Sequence, residues 1–192
     1  MQEPWLKDKC IVVIGGTTGI GLSASEAFIR EGANVVAIGR SPESAEKAAA
    51  RMKNAVVKTG DASRGGTAEE AIRNCISHFG AFDGLYHVAG GSGRKFGDGP
   101  LHEITVEGWE KTLTLNLTSL MLSNQAAVRA FLATGKGGTI LNMGSVLGYS
   151  PSPKYFVTHA YAAAKSAVIG FTKSVASYYA SQNIRVNLLA PA

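Results

Sequence analysis

The chain has 192 residues, 45% of them apolar and 17% charged, with 23 glycines, six prolines and two cysteines. That length predicts a single domain over residues 1–192 with its own core, and the apolar share excludes a disordered chain. The net charge of +5 is dispersed without a block of bases, so a solvated surface is expected and no nucleic-acid partner. No apolar run approaches the ~20 residues of a membrane span. The start of the chain, with Glu3, Lys7, Asp8 and Lys9 ahead of the first apolar run, does not read as a secretory signal. Cys10 and Cys75 show no paired spacing and read as reduced thiols of a cytoplasmic protein, with no metal site. Glycine is the outlier: 23 of 192 is about 12%, against roughly 7% in ordinary proteins.

In chain order, strands are expected at 10–14 (CIVVI), 34–38 (NVVAI), 55–58 (AVVK), 82–88 (FDGLYHV), 139–143 (TILNM) and 184–189 (IRVNLL). Several lack polar alternation, as strands covered on both faces do. Helices are expected at 19–30, 42–53, 67–79, 105–133 and 158–181, with Ser41-Pro42 as an N-cap followed by proline at the first helical position. Strand and helix alternate throughout, which predicts an α/β fold on a parallel sheet.

The glycine excess starts to find a place at the first turn. The first strand runs into Gly15-Gly16-Thr17-Thr18-Gly19-Ile20-Gly21 and then into a helix. A glycine-rich turn there offers backbone N–H groups and the positive end of a helix to a phosphate. Missing side chains let a pyrophosphate approach the backbone closely. The second strand ends Gly39-Arg40-Ser41, with no acid between Ala33 and Pro42. An acid there would bond a ribose 2′-hydroxyl, whereas an arginine fork accepts a 2′-phosphate, so NADP is favoured with NAD as the alternative. Asp61, after the third strand, is either an acceptor for an adenine amino group or a turn residue ahead of Ser63.

Only Tyr161, of six tyrosines, has a lysine four residues on, at Lys165. On a helix these positions share one face. A phenol with pKa ~10 is a poor acid–base at neutral pH, and a neighbouring ammonium stabilises its phenolate. The pair suits carbonyl–alcohol interconversion.

With these residues in view, the chain resembles the short-chain dehydrogenase/reductase family, in its simple single-domain subgroup. The resemblance rests on Gly15-xxx-Gly19-Ile20-Gly21, Asp61, Ala89-Gly90, Asn116, Ser145, Tyr161-xxx-Lys165 and Ile184-Arg185-Val186-Asn187 followed by Pro191. It spans almost the whole chain in the family's order. It implies a Rossmann-type, doubly wound parallel sheet flanked by helices, and hydride transfer between a nicotinamide cofactor and a small-molecule ketone or secondary alcohol. It assigns Tyr161 as acid/base, Ser145 as donor to the substrate carbonyl, Lys165 to the nicotinamide ribose and Asn116 to a water in the proton relay. It also adds Thr17, Thr18, Ser41, Ala62, Ala89 and Gly90 to the cofactor-binding set, and it implies a homotetramer or homodimer through the long helices.

The sequence departs from the family pattern in places. Ile14 stands where a threonine usually leads the glycine motif, and His87-Val88 replaces a pair of asparagines. Both changes fall where the first and fourth strands meet, so an apolar Ile14–Val88 contact is expected, with His87 a hydrogen-bonded structural residue. The segment 148–160 between Ser145 and Tyr161 is longer than usual and should border the substrate, as should the loop 90–100. Arg94 and Lys95 in that loop are either anion-binding or merely exposed bases. The family continues past Pro191 with a substrate-covering segment, a last strand and a last helix, which are expected to be missing here. Two other functions share this framework: a catalytically silent nucleotide-binding regulator, and the epimerase or dehydratase branch, whose glycine spacing is usually GxxGxxG.

Overall fold

The structure is a computed structural model describing residues 3–192. Six parallel strands form one sheet: β1 Cys10–Ile14, β2 Asn34–Gly39, β3 Val56–Thr59, β4 Gly84–His87, β5 Gly138–Met143 and β6 Ile184–Leu189. Their order is β3-β2-β1-β4-β5-β6, with every neighbouring pair parallel. This is the doubly wound order of a dinucleotide fold, whose switch point lies between β1 and β4 at their C-terminal ends. Parallel strands need crossovers, and helices supply them: α1 Gly19–Arg30, α2 Pro42–Arg51, α3 Thr67–Phe79, α4 Val106–Leu113, α5 Ser119–Thr134 and α6 His159–Tyr179.

Side-chain alternation divides the core in two. Val12, Ile14, Leu85 and Ile140 face α3, α5 and α6, where Ile72, Cys75, Ala127, Phe131 and Val175 meet them. Ile11, Val13, Val35 and Tyr86 face the other way, toward Phe28 of α1 and Ala48 of α2. The N-cap expected at Ser41 is present, its hydroxyl accepting from the Ser44 amide ahead of Pro42, and Thr105 caps α4 in the same way, accepting from the Gly108 amide at 3.0 Å. Cys10 and Cys75 are free, buried thiols, and burial pushes Cys75 up to about 12.

Two expectations are corrected. The helix expected over 105–133 is interrupted: between α4 and α5 the residues Thr114–Thr118 form a π-turn in which the Ser119 amide bonds to the Thr114 carbonyl. No proline or glycine marks the spot. Ile14 and Val88 do not touch through their side chains, because they pack into opposite faces of the sheet. The residue beside Ile14 in the register is His87, and the seam is closed by the amides of Val88 and Ala89 both donating to the Ile14 carbonyl. A one-residue step along a strand reverses the face, and adjacency in sequence concealed that.

Candidate active site

At the C-terminal end of β1 the chain needs backbone that only glycine supplies. Gly15 has φ +92°, and a Cβ there would stand 2.6 Å from the Ala89 amide nitrogen. A Cβ on Gly21 would overlap the Gly15 carbonyl oxygen, so α1 sits directly against the turn. Gly19, at φ +50°, faces open space. Thr18 caps α1 without a side-chain bond, and the first turn of the helix holds no acid. The first amides of α1 and its positive dipole end are thus left without a partner among the described residues. That cradle fits an anionic phosphate of a dinucleotide.

The two threonines differ. Thr18 is exposed, whereas Thr17 is 5% exposed and packs on Gly39, where any Cβ would overlap it. Arg40 stands exposed at the end of β2, and the Ser41 hydroxyl is engaged in capping α2. Asp61 accepts through Oδ1 from both the amide and the hydroxyl of Ser63, the turn role, and those bonds hold its carboxyl below the usual range, aided by the nearby Arg40 charge. Its backbone carbonyl takes the Thr67 hydroxyl, tying the turn to α3. Ala62 and Ala89 are half-buried against the core, and Gly90 is exposed.

Ser145, Tyr161 and Lys165 line one cleft of about 790 Å³ beside Ile20, Gly90, Gly91 and Met143. Tyr161 and Lys165 lie in the first two turns of α6, and the Lys165 Nζ is 5.6 Å from the centre of the Tyr161 ring. Lys165 is 2% exposed, donates to the Met143 carbonyl at 2.8 Å, and has no carboxylate partner among the described residues. Burial draws its pKa down to about 8. Two of its three donor positions are left for a ligand in the cleft. Ser145 begins the short turn after β5 and accepts from the Leu147 amide at 3.2 Å, leaving its own hydroxyl hydrogen to be donated.

Asn116 is not on the cleft wall. It is fully buried in the π-turn behind the glycine loop, accepting from the Gly91 amide at 3.0 Å and donating to the Gly91 and Thr112 carbonyls. With both donor hydrogens committed, it can only accept from any further partner. Asn116 thus fastens the loop that follows β4, and π-turns recur at such places.

This chain is matched by the short chain dehydrogenase family model over residues 9–192. It belongs to that family. A 2-(S)-hydroxypropyl-CoM dehydrogenase of Xanthobacter autotrophicus is 34% identical over 97% of this chain and 71% of its own length. A 3beta-hydroxysteroid dehydrogenase of Eggerthella lenta is 32% identical, over 99% of this chain and 72% of its own. A short chain dehydrogenase from Mycobacterium smegmatis superposes with a TM-score of 0.90 at 27% identity, covering 98% of this chain and 78% of that one. The short-chain dehydrogenases are NAD(P)-dependent oxidoreductases acting on small molecules, and this member carries their fold.

His87 occupies a place of its own. It is 1% exposed, with Nε2 3.0 Å from the Ala89 carbonyl and Nδ1 3.0 Å from the Ser123 hydroxyl. A carbonyl only accepts, so Nε2 carries the proton and Nδ1 takes the hydroxyl. Burial, with the Lys165 charge adding to it, draws the imidazole pKa down to about 3 and keeps it neutral. The ring ties the end of β4 to α5, the structural role expected of it. Arg94 is also engaged: it donates to the Tyr155 carbonyl at 2.8 Å and lies over the Phe156 ring, joining the loop 90–100 to the segment after β5. One residue of this site gave no sequence signal at all. Asp98 is 3% exposed in a glycine-rich loop, and nothing in its neighbours distinguishes it from a turn aspartate.

Proposed function

We propose that this dehydrogenase interconverts a ketone and a secondary alcohol, with Tyr161 as the general acid–base and NADP(H) preferred over NAD(H). The observation that carries the reading is the meeting of Ser145, Tyr161 and a buried, unpaired Lys165 in one cleft beside the open glycine cradle. A bound nicotinamide supplies or accepts the hydride. The chain does the rest. Amides of the 15–21 turn hold phosphate, and the Arg40 fork takes the 2′-phosphate, there being no acid at the end of β2 to bond a ribose hydroxyl. Asp61 and Ala62 border the adenine side, and Ala89 and Gly90 let the backbone approach the ligand. Ser145 donates to the carbonyl oxygen and stabilises charge as it develops there. Tyr161 gives that oxygen its proton in reduction and takes it in oxidation, while the Lys165 ammonium stabilises the phenolate left behind. Asn116 keeps Gly91 in place.

The reading extends to a homodimer or homotetramer, supported by exposed Val106, Trp109, Leu132 and Tyr178 on α4, α5 and α6, and to the cytoplasm, which suits the free thiols Cys10 and Cys75.

Its test is a panel of ketones and secondary alcohols followed by nucleotide absorbance. Tyr161→Phe is expected to lower kcat by about 100- to 10,000-fold, the range of acid–base catalysis, with nucleotide affinity nearly unchanged. Retained turnover removes Tyr161 from the mechanism. Arg40→Ala is expected to weaken NADPH binding by about tenfold or more and leave NADH alone, as loss of a charge-assisted fork does. Equal affinity of the unaltered chain for both nucleotides overturns the NADP assignment.

A further inference from the structure

A helix start exposes amides that need acceptors, and α6 meets that need in an unusual way. Thr158 occupies its N-cap but makes no side-chain cap bond, and the first turn contains no acid. Instead the Asp98 carboxylate reaches in from the loop after β4. Its Oδ1 accepts from the Ala160 amide and its Oδ2 from the amide of Tyr161 itself, both at 2.9 Å. These are the second and third helical positions, the two amides a cap side chain normally serves. Among the described residues this buried carboxylate has no cationic partner, so the two amides and the helix dipole are what offset its desolvation.

The loop that presents Asp98 is itself held. The Asp98 amide closes on the Gly93 carbonyl at 3.2 Å, and Gly97, at φ +96°, turns the chain to place it. Gly93 packs on Thr112 of α4 so closely that any side chain there would overlap it. Earlier in the same loop, both backbone groups of Gly91 are gripped by Asn116. One short loop, which itself lines the cleft, thus joins the Asn116 π-turn to the backbone of Tyr161.

We propose that Asp98 is a positioning residue: by bonding the Tyr161 amide from the Asn116-anchored loop, it fixes where the phenol stands in the cleft. The inference rests on Tyr161 being the acid–base, and it asks more of Asp98 than helix stability. A cap that only stabilised α6 would work as well from position 158. A cap from position 158 makes no bond to that loop, whereas Asp98 ties the start of the helix to it. A misplacement of a reacting group on the order of 1 Å costs about 100-fold in rate, which sets the expected size.

The test uses the full chain with NADPH and the best carbonyl substrate of the panel. Asp98→Asn, nearly isosteric, keeps one acceptor and turns an NH2 toward the other amide. It is expected to lower kcat by about 10- to 100-fold while NADPH affinity stays within about twofold. Hydrogen exchange at the Tyr161 amide should quicken in Asp98→Ala, a readout independent of turnover. The deciding variant adds Thr158→Asp to Asp98→Ala, restoring a local cap without the loop. Recovered thermal stability and amide protection with kcat still depressed supports positioning. Recovery of kcat as well, or wild-type kcat in Asp98→Asn, reduces Asp98 to an ordinary cap and overturns the proposal. Failure of the Tyr161 role is read separately, as turnover retained in Tyr161→Phe.

Discussion

The two halves of the sheet build their parts of the site from different materials. Around β1, β2 and β3 the buried polar residues are Thr17 and Ser25 alone among the described residues. From β4 onward they include His87, Asp98, Asn116, Ser123, Asn124, Asn142, Ser145, Lys165 and Thr172. Asn142 of β5 shows how the second half is built. It exchanges amide bonds with Asn124 of α5 and donates to Thr172 of α6, pinning strand to both helices. The first half shapes its glycine turn from bare backbone, and the second borders the cleft with buried, partnered side chains. Backbone sites tolerate no added atom. Side-chain sites tolerate no lost partner, and they respond to pH.

The largest test of this contrast is acid. His87 has an ordinary pKa of ~6.5 unfolded and about 3 folded, so only the unfolded chain takes up its proton as pH falls between them. Its contribution is intact above ~6.5 and is lost on the way down to 3, amounting to roughly 4–5 kcal/mol. Urea titrations of the unaltered chain should show that slope, and His87→Gln should flatten it. An unchanged slope breaks the claim that the second half carries the pH sensitivity.

Lys165 comes next, with a slope of the same sign in a higher pH window. Below pH 8 its charge is buried at a cost, and the cost is relieved as pH rises from about 8 toward the unfolded value of ~10.4. Lys165→Met should therefore raise stability of the ligand-free chain at pH 7 by about 3 kcal/mol while abolishing turnover, a trade of stability for function. A less stable Met variant would show that the Met143 bond outweighs the desolvation.

The smallest expected effect probes the first half. Gly21→Ala presses a methyl onto the Gly15 carbonyl, which is backbone and cannot rotate away. A loss of about 1–3 kcal/mol is expected, as for overpacking, together with weaker nucleotide binding and no change in the pH profile. Wild-type melting temperature and nucleotide affinity would mean that α1 is not packed as tightly as the contact implies.

Much of the first half was legible because its motifs are local. A strand, a glycine turn and a helix start follow one another over a dozen residues, and each residue type answers to a backbone need at its own position. Helices α1 and α3 and strands β1 and β6 fall where hydrophobic runs, caps and glycine stops put them. Tyr161 and Lys165 were legible for the same reason, being one helical turn apart. Asn116, Asp98 and the Ile14–Val88 seam were not. Asn116 and Asp98 take their meaning from partners 25 and 63 residues away, and the seam from which face a strand turns inward.

Read as a line of residues, the chain already contained the alternation of strands and helices, the place of the glycine excess and the spacing of the Tyr161–Lys165 pair. Three further features came with the folded molecule alone: the π-turn that interrupts the long helix, the grip of Asn116, itself off the cleft wall, on a loop that lines the cleft, and the hold of Asp98 on the amide of Tyr161. The division has a physical cause. Periodicity and turn chemistry act through covalent neighbours and can be read along the chain. A buried polar group is chosen by whatever donor or acceptor the fold brings to it, and that partner exists only once the sheet has assembled.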